Sequence, residues 1–171
     1  MKIGVSQLVL GDSTLEHILE ICRVASYDAV ELVFKYDADL DVDMSSSGLL
    51  EVRERCTSAG VTITSVIALT RNRGSLLSPS AGDRQRYCAS VVRALEIAEV
   101  LEAGAVLLHP GQLVSSGTYD AAWHNMRECL TELAGEAEKR KTAIGLENVW
   151  NKILLTPREA REFVDEVDSS W

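Results

Sequence analysis

Ala143-Ile-Gly-Leu-Glu147-Asn-Val-Trp150-Asn-Lys-Ile-Leu-Leu-Thr-Pro157 is the stretch on which the reading of the whole chain turns. Its opening, Ala143 to Leu146, is a short apolar run of the kind that forms a buried strand, and it ends on a carboxylate, Glu147. A polar turn follows, with Asn148, Asn151 and Lys152. Thr156 then supplies an N-cap, Pro157 suits the first helical position, and Glu159 completes a capping box. A buried strand that delivers a carboxylate to its C-terminal end, just before a βα loop, matches the place where parallel barrels keep their chemistry.

Upstream, the same strand-then-helix unit recurs. Ile3, Val5, Leu8 and Val9 predict a first strand within Met1 to Leu10. Ser13-Thr14-Leu15-Glu16 reads as a capping box for a helix whose stripe is Leu15, Ile18, Leu19 and Cys22. Ala29 to Phe34 is a second strand, apolar except for Glu31. A helix over Leu49 to Ala59 ends at Gly60, a strand follows over Val61 to Leu69, and a long helix over Arg84 to Ala103 ends at Gly104 in the same way. Ala105 to Leu108 is a fourth strand, closed by His109-Pro110-Gly111. A helix from about Tyr119 to Lys141 carries Lys139, Arg140 and Lys141 at the negative end of its dipole. The last helix runs from Pro157 to about Val167, with Ala160, Phe163, Val164 and Val167 on one side.

The order βαβαβαβαβα predicts an α/β fold with a parallel sheet, its short apolar strands covered on both faces. Two layouts fit: a doubly wound open sheet, and part of a (β/α)₈ barrel. Leu8-Val9-Leu10-Gly11-Asp12 after the first strand holds no glycine-rich phosphate cradle. Asp37, Asp39, Asp41 and Asp43 alternate along the loop after the second strand. Counted from Asp37, however, the sixth position is Val42 rather than Gly and the twelfth is Gly48 rather than Glu, so the loop reads as solvated acid rather than a calcium site.

With 171 residues the chain is expected to form one domain over 1–171. A net charge of −9 leaves little base for a nucleic-acid face, which favours small-molecule chemistry with no nucleic-acid partner. No apolar run reaches the roughly 20 residues needed to span a bilayer, and Met1-Lys2-Ile3-Gly4-Val5 lacks the order of a signal peptide, so no membrane partner is expected. Cys22, Cys56, Cys88 and Cys129 lie far apart in helical patterns, as buried reduced thiols do, which implies a cytoplasmic location.

Glu147-Asn-Val-Trp-Asn-Lys-Ile-Leu-Leu-Thr-Pro157 resembles the xylose-isomerase-like TIM-barrel superfamily, the sugar-phosphate isomerases and epimerases. Met1 to Ser6, Tyr27 to Phe34 and Leu107 to Gly111 support the resemblance, which covers the whole chain. It implies a parallel (β/α) barrel of TIM type. A closed barrel takes about 250 residues, so the chain is expected to be an incomplete one of about five βα units, lacking the last three. It also implies a divalent metal such as Mn²⁺ or Mg²⁺, with Glu147 at the position of the first metal ligand. The other ligands, typically Asp, His and Glu, would come from strands six to eight. Ketohexose epimerases of the superfamily carry a further glutamate where this chain has Ile153, which disfavours that activity specifically.

The expected function is therefore a metal-dependent isomerase or epimerase of sugars or sugar phosphates. Glu147 is the catalytic and metal candidate. His109, Glu31, Asn148, Trp150, Asn151 and Lys152 are candidates for substrate binding, because amides and an aromatic face suit hydroxylated ligands. Arg71 and Arg73 could hold an anion; His17 and His124 fall on helix surfaces. The alternatives are a non-catalytic remnant that either dimerises through its exposed sheet edge, making a homo-oligomer, or refolds as an open sheet, and an endonuclease-type relative acting on DNA.

Overall fold

A computed structural model describes residues 1–70, 74–149 and 151–171. Over these residues a parallel sheet runs β1 (Gly4–Ser6), β2 (Ala29–Lys35), β3 (Thr62–Leu69), β4 (Ala105–Leu108) and β5 (Ala143–Leu146). Helices α1 (Leu15–Ala25), α2 (Ser46–Ser58), α3 (Ala81–Leu101), α4 (Tyr119–Arg140) and α5 (Pro157–Val167) follow the strands in turn. Each strand pairs in parallel with its sequence neighbours, in the order β1-β2-β3-β4-β5.

That order decides between the two layouts. A doubly wound sheet reverses direction part-way, placing helices on both faces. Here the order never reverses, and right-handed crossovers then set every helix on one face. This is the winding of a TIM-type barrel, of which the chain forms five βα units. The expectation that both strand faces are covered holds fully only for the face turned to the helices. Val30, Leu32 and Phe34 face the helices and are fully buried, while Glu31 and Lys35 on the opposite face are only partly so. The core fills the space between sheet and helices, through Ile18, Leu49, Val66, Leu95, Ile97, Val106, Met126 and Phe163.

Several local expectations shift. The first strand stops at Ser6, and residues Gln7–Leu10 form a 3-10 turn. Gln7 is the cause: its buried amide accepts the Val33 N–H at 2.7 Å, taking a ladder position that a longer strand would fill. The cap of α1 is Thr14, which accepts from His17 N–H, and not Ser13, whose hydroxyl donates to the Leu10 carbonyl. The acidic loop is solvated as expected, with Asp37, Asp39 and Asp43 exposed, and it is also tied down. Asp39 accepts the Leu15 N–H at the start of α1, and Asp41 accepts from Asp37 and Asp43 N–H over buried Leu40 and Val42. Ser80 caps α3, which begins three residues before Arg84. Its left-handed C-terminal residue is Glu102 (φ 56°), so Gly104 does not repeat the role of Gly60. On α5, Phe163 is buried but Val164 is half exposed. Among the described residues no helix is long and apolar enough to cross a membrane.

Candidate active site

Leu108 pairs with Leu146 at the ends of β4 and β5, and the Glu147 N–H extends the ladder to the Leu108 carbonyl at 2.8 Å. The next residues on each strand are therefore His109 and Glu147. By the two-residue alternation of strands, both belong to the face away from the helices, with Ala105, Leu107, Ala143 and Gly145. Both line one cavity of about 180 Å³, together with Leu8, Ile67, Leu69 and Leu107. Two strand-end polar groups thus meet at the C-terminal mouth, walled by apolar side chains.

Glu147 is partly buried, and among the described residues its carboxylate has no hydrogen-bond or ion-pair partner. His109 is oriented tightly. Its Nδ1 accepts the Gly111 N–H at 3.2 Å, so the neutral ring carries its proton on Nε2 and presents a donor. Its carbonyl accepts the Tyr87 hydroxyl from α3. The Pro110 carbonyl takes Leu76 N–H at 3.0 Å and Ser75 Oγ at 3.3 Å. Gly111 (φ 103°) has no alternative, because a Cβ there would sit 1.9 Å from Ser75 Oγ. Ser75, Leu76 and Tyr87 were not singled out in the sequence. Ser75 reaches the His109-Pro110 turn across 35 residues and Tyr87 reaches it from α3 across 22, separations that no local pattern reports.

Glu31 lies elsewhere. It falls in the register row Ser6–Glu31–Ser65–Ala105–Ala143, four residues along β5 from Glu147, or roughly 13 Å of strand. Its two carboxylate oxygens each accept a hydroxyl at 2.7 Å, from Ser6 and Ser65. The structure therefore places it as a tie across β1, β2 and β3.

The loop after β5 is held from inside. Asn151 is fully buried; with its nitrogen turned toward the two carbonyls, its amide donates to Val149 (2.9 Å) and Ile153 (3.0 Å). Its own carbonyl accepts the Leu113 N–H, joining this loop to the one after β4. Asn148 donates to the Ile153 and Leu154 carbonyls and lines a second recess with His109, Gln112 and Val149. Lys152 is exposed and, like Leu154, has positive φ (61° and 54°). Such strain in bulky residues persists only where surroundings impose it. Leu154 N–H bonds Tyr119 Oη, Tyr119 donates to Glu159, and Glu159 accepts Thr156 N–H within the expected capping box. Trp150, Arg71 and Arg73 lie outside the described residues. His17 and His124 are on the surface, His124 within 3.3 Å of Glu128. Among the described residues, His, Cys, Asp and Glu nowhere gather in threes as a metal site would require.

Comparison with known proteins agrees with this fold. The sequence model described as xylose isomerase-like TIM barrel matches residues 19–171. No curated protein sequence matches the chain. Among solved structures, a D-tagatose 3-epimerase-like protein is 25% identical with a TM-score of 0.80, over 99% of this chain and 62% of that one. An L-ribulose 3-epimerase is 20% identical with a TM-score of 0.82, over 99% of this chain and 58% of that one. The IolI protein with a bound zinc atom is 21% identical with a TM-score of 0.79, over 98% of this chain and 59% of its own. The chain thus spans about three fifths of the length of the structures it matches.

Proposed function

We propose, from the premise that this chain belongs to the xylose isomerase-like TIM-barrel family, that it carries part of the active site of an isomerase or epimerase of sugars or sugar phosphates. The observation that supports this best is Glu147: a partly buried carboxylate, unpaired among the described residues, beside the Nε2 donor of His109 in one cavity. A carboxylate without a protein partner is costly away from water, which favours a ligand group or cation opposite it.

In this reading Glu147 removes a proton from the carbon next to the substrate carbonyl. His109 donates its Nε2–H to a substrate oxygen as negative charge builds there. The Gly111 N–H holds that ring, Tyr87 anchors the His109 backbone carbonyl, and Leu8, Ile67, Leu69 and Leu107 exclude water from the reacting carbon. A divalent ion such as Mn²⁺ or Mg²⁺, when bound, would polarise the sugar oxygens. Glu147 is suited to be one of its donors, but the described residues do not supply the others, and the roles given to Glu147 and His109 stand without it. Asn148 is placed to meet a hydroxyl from the recess it shares with His109. Buried Ile153 offers no carboxylate to a ketohexose, so the substrate class stays at sugar or sugar phosphate.

That the described residues supply no further donors favours a second reading, that these five βα units are not catalytic by themselves. One experiment separates the two. Aldoses, ketoses and their phosphates are incubated with the chain and Mn²⁺ in D₂O, and proton loss beside the carbonyl is followed by NMR. Exchange of any member above the protein-free rate supports catalysis. No exchange across the panel overturns it in favour of the non-catalytic reading.

A further inference from the structure

The outer helices α3 and α4 run side by side in a fixed register. At one end, Arg84 Nη1 and Asn125 Nδ2 reach the same atom, the Ser78 carbonyl, at 2.9 and 3.2 Å. At the other end, Arg140 Nε stands 3.4 Å from Glu99 Oε2. Residues 84 and 125 are 41 apart in sequence, as are 99 and 140, so one offset holds over four turns. Applied one turn beyond Arg84, the same offset sets Cys88 opposite Cys129. The two thiols are neighbours across the helix pair, close enough for each to shift the other's ionisation. Cys88 is half-buried and Cys129 buried, and nothing in the proposed active site uses either.

We propose that Cys88 and Cys129 are a redox-active pair that hydrogen peroxide converts to a disulfide stapling α3 to α4. The Cys129 thiolate attacks a peroxide oxygen, the O–O bond breaks, and the departing hydroxide is protonated to water. Cys129 is left as a sulfenic acid. The Cys88 sulfur attacks it, the S–O bond breaks, and the hydroxide leaves as water with the Cys88 proton. Two thiols and one peroxide thus give one disulfide and two waters. The neighbouring Cys88 thiol, helped by the charge of Arg84, draws the Cys129 thiol below its ordinary range, which favours Cys129 as the attacking sulfur. Cys129 and burial hold Cys88 high.

Cys22 and Cys56 form the internal contrast. They lie on α1 and α2, both are 1% exposed, and burial raises both thiols, Cys56 to about 11. These two stay reduced under the same treatment. The staple adjoins Tyr87, whose hydroxyl holds the His109 carbonyl, so the state of the pair is one residue removed from the mouth.

The test is thiol counting on the folded chain after a small excess of hydrogen peroxide, followed by denaturation and non-reducing tryptic mapping. Two of the four cysteines are expected to disappear, and dithiothreitol is expected to restore them. The peptide Tyr87–Arg93 should appear bridged to Glu128–Lys139, lighter than their sum by two hydrogens. In Cys88→Ser, Cys129 is expected to halt as a sulfenic acid trapped by dimedone. Persistence of all four thiols would overturn the proposal, as would a bridge that maps to Cys22 and Cys56, or loss of Cys88 and Cys129 without any bridge.

Discussion

Glu31 and Glu147 are two strand carboxylates on the same face of one sheet, and their surroundings assign them opposite work. Glu31 sits within β2 between two strands that each offer a serine hydroxyl, so both oxygens are satisfied across the ladder. Glu147 sits one residue past β5, where among the described residues nothing pairs with it and a cavity opens in front of it. The first ties strands together; the second is available for chemistry. The difference lies in what the neighbouring strands present at each position, since the residue type is the same.

The largest way to test that contrast is Glu31→Ala, which leaves the Ser6 and Ser65 hydroxyls without their acceptor. Each lost charge-assisted bond is worth about 1.5–3 kcal/mol, so the urea midpoint should fall by the equivalent of about 3 kcal/mol. Asn151→Ala comes next. It removes a buried amide and two bonds inside the loop that follows Glu147, and should cost about 2 kcal/mol, with faster amide exchange over residues 148–155. Thr156→Ala deletes the cap of α5 and should cost about 1 kcal/mol in the same denaturation assay. Glu147→Gln should change stability by no more than about 0.5 kcal/mol, because no described partner is lost. A larger loss there would show that Glu147, like Glu31, is a structural tie.

Local signals were legible in the sequence where they were self-contained. Ala105–Leu108 and Pro157–Val167 have the bounds their patterns predict, because an apolar run and a capping box each decide an element within a few residues. The first strand read too long because the amide of Gln7 replaces the ladder only by reaching Val33, 26 residues on. Ser13 and Thr14 are chemically interchangeable as caps. The choice falls to Thr14 because Ser13 closes the preceding turn, and Asp39 from the next loop takes the Leu15 N–H. The site followed the same divide. Glu147 and His109 were visible as polar residues ending apolar strands. The serines that occupy Glu31 are 25 and 34 residues away, and only the register brings them to it. Asn148 and Asn151 read as sugar contacts because amides serve ligands and loops alike; the carbonyls that engage both belong to the turn itself, and Asn148 also lines a recess with His109.

The most direct measurement compares solvent-deuterium exchange beside a substrate carbonyl in wild type, Glu147→Gln and Glu31→Gln, each scaled to its folded fraction. Exchange is expected to fall at least about 100-fold in Glu147→Gln with its unfolding midpoint unchanged, while Glu31→Gln unfolds earlier but exchanges normally per folded molecule. Full exchange in Glu147→Gln, with its loss in folded Glu31→Gln, would contradict the assignment of the two carboxylates.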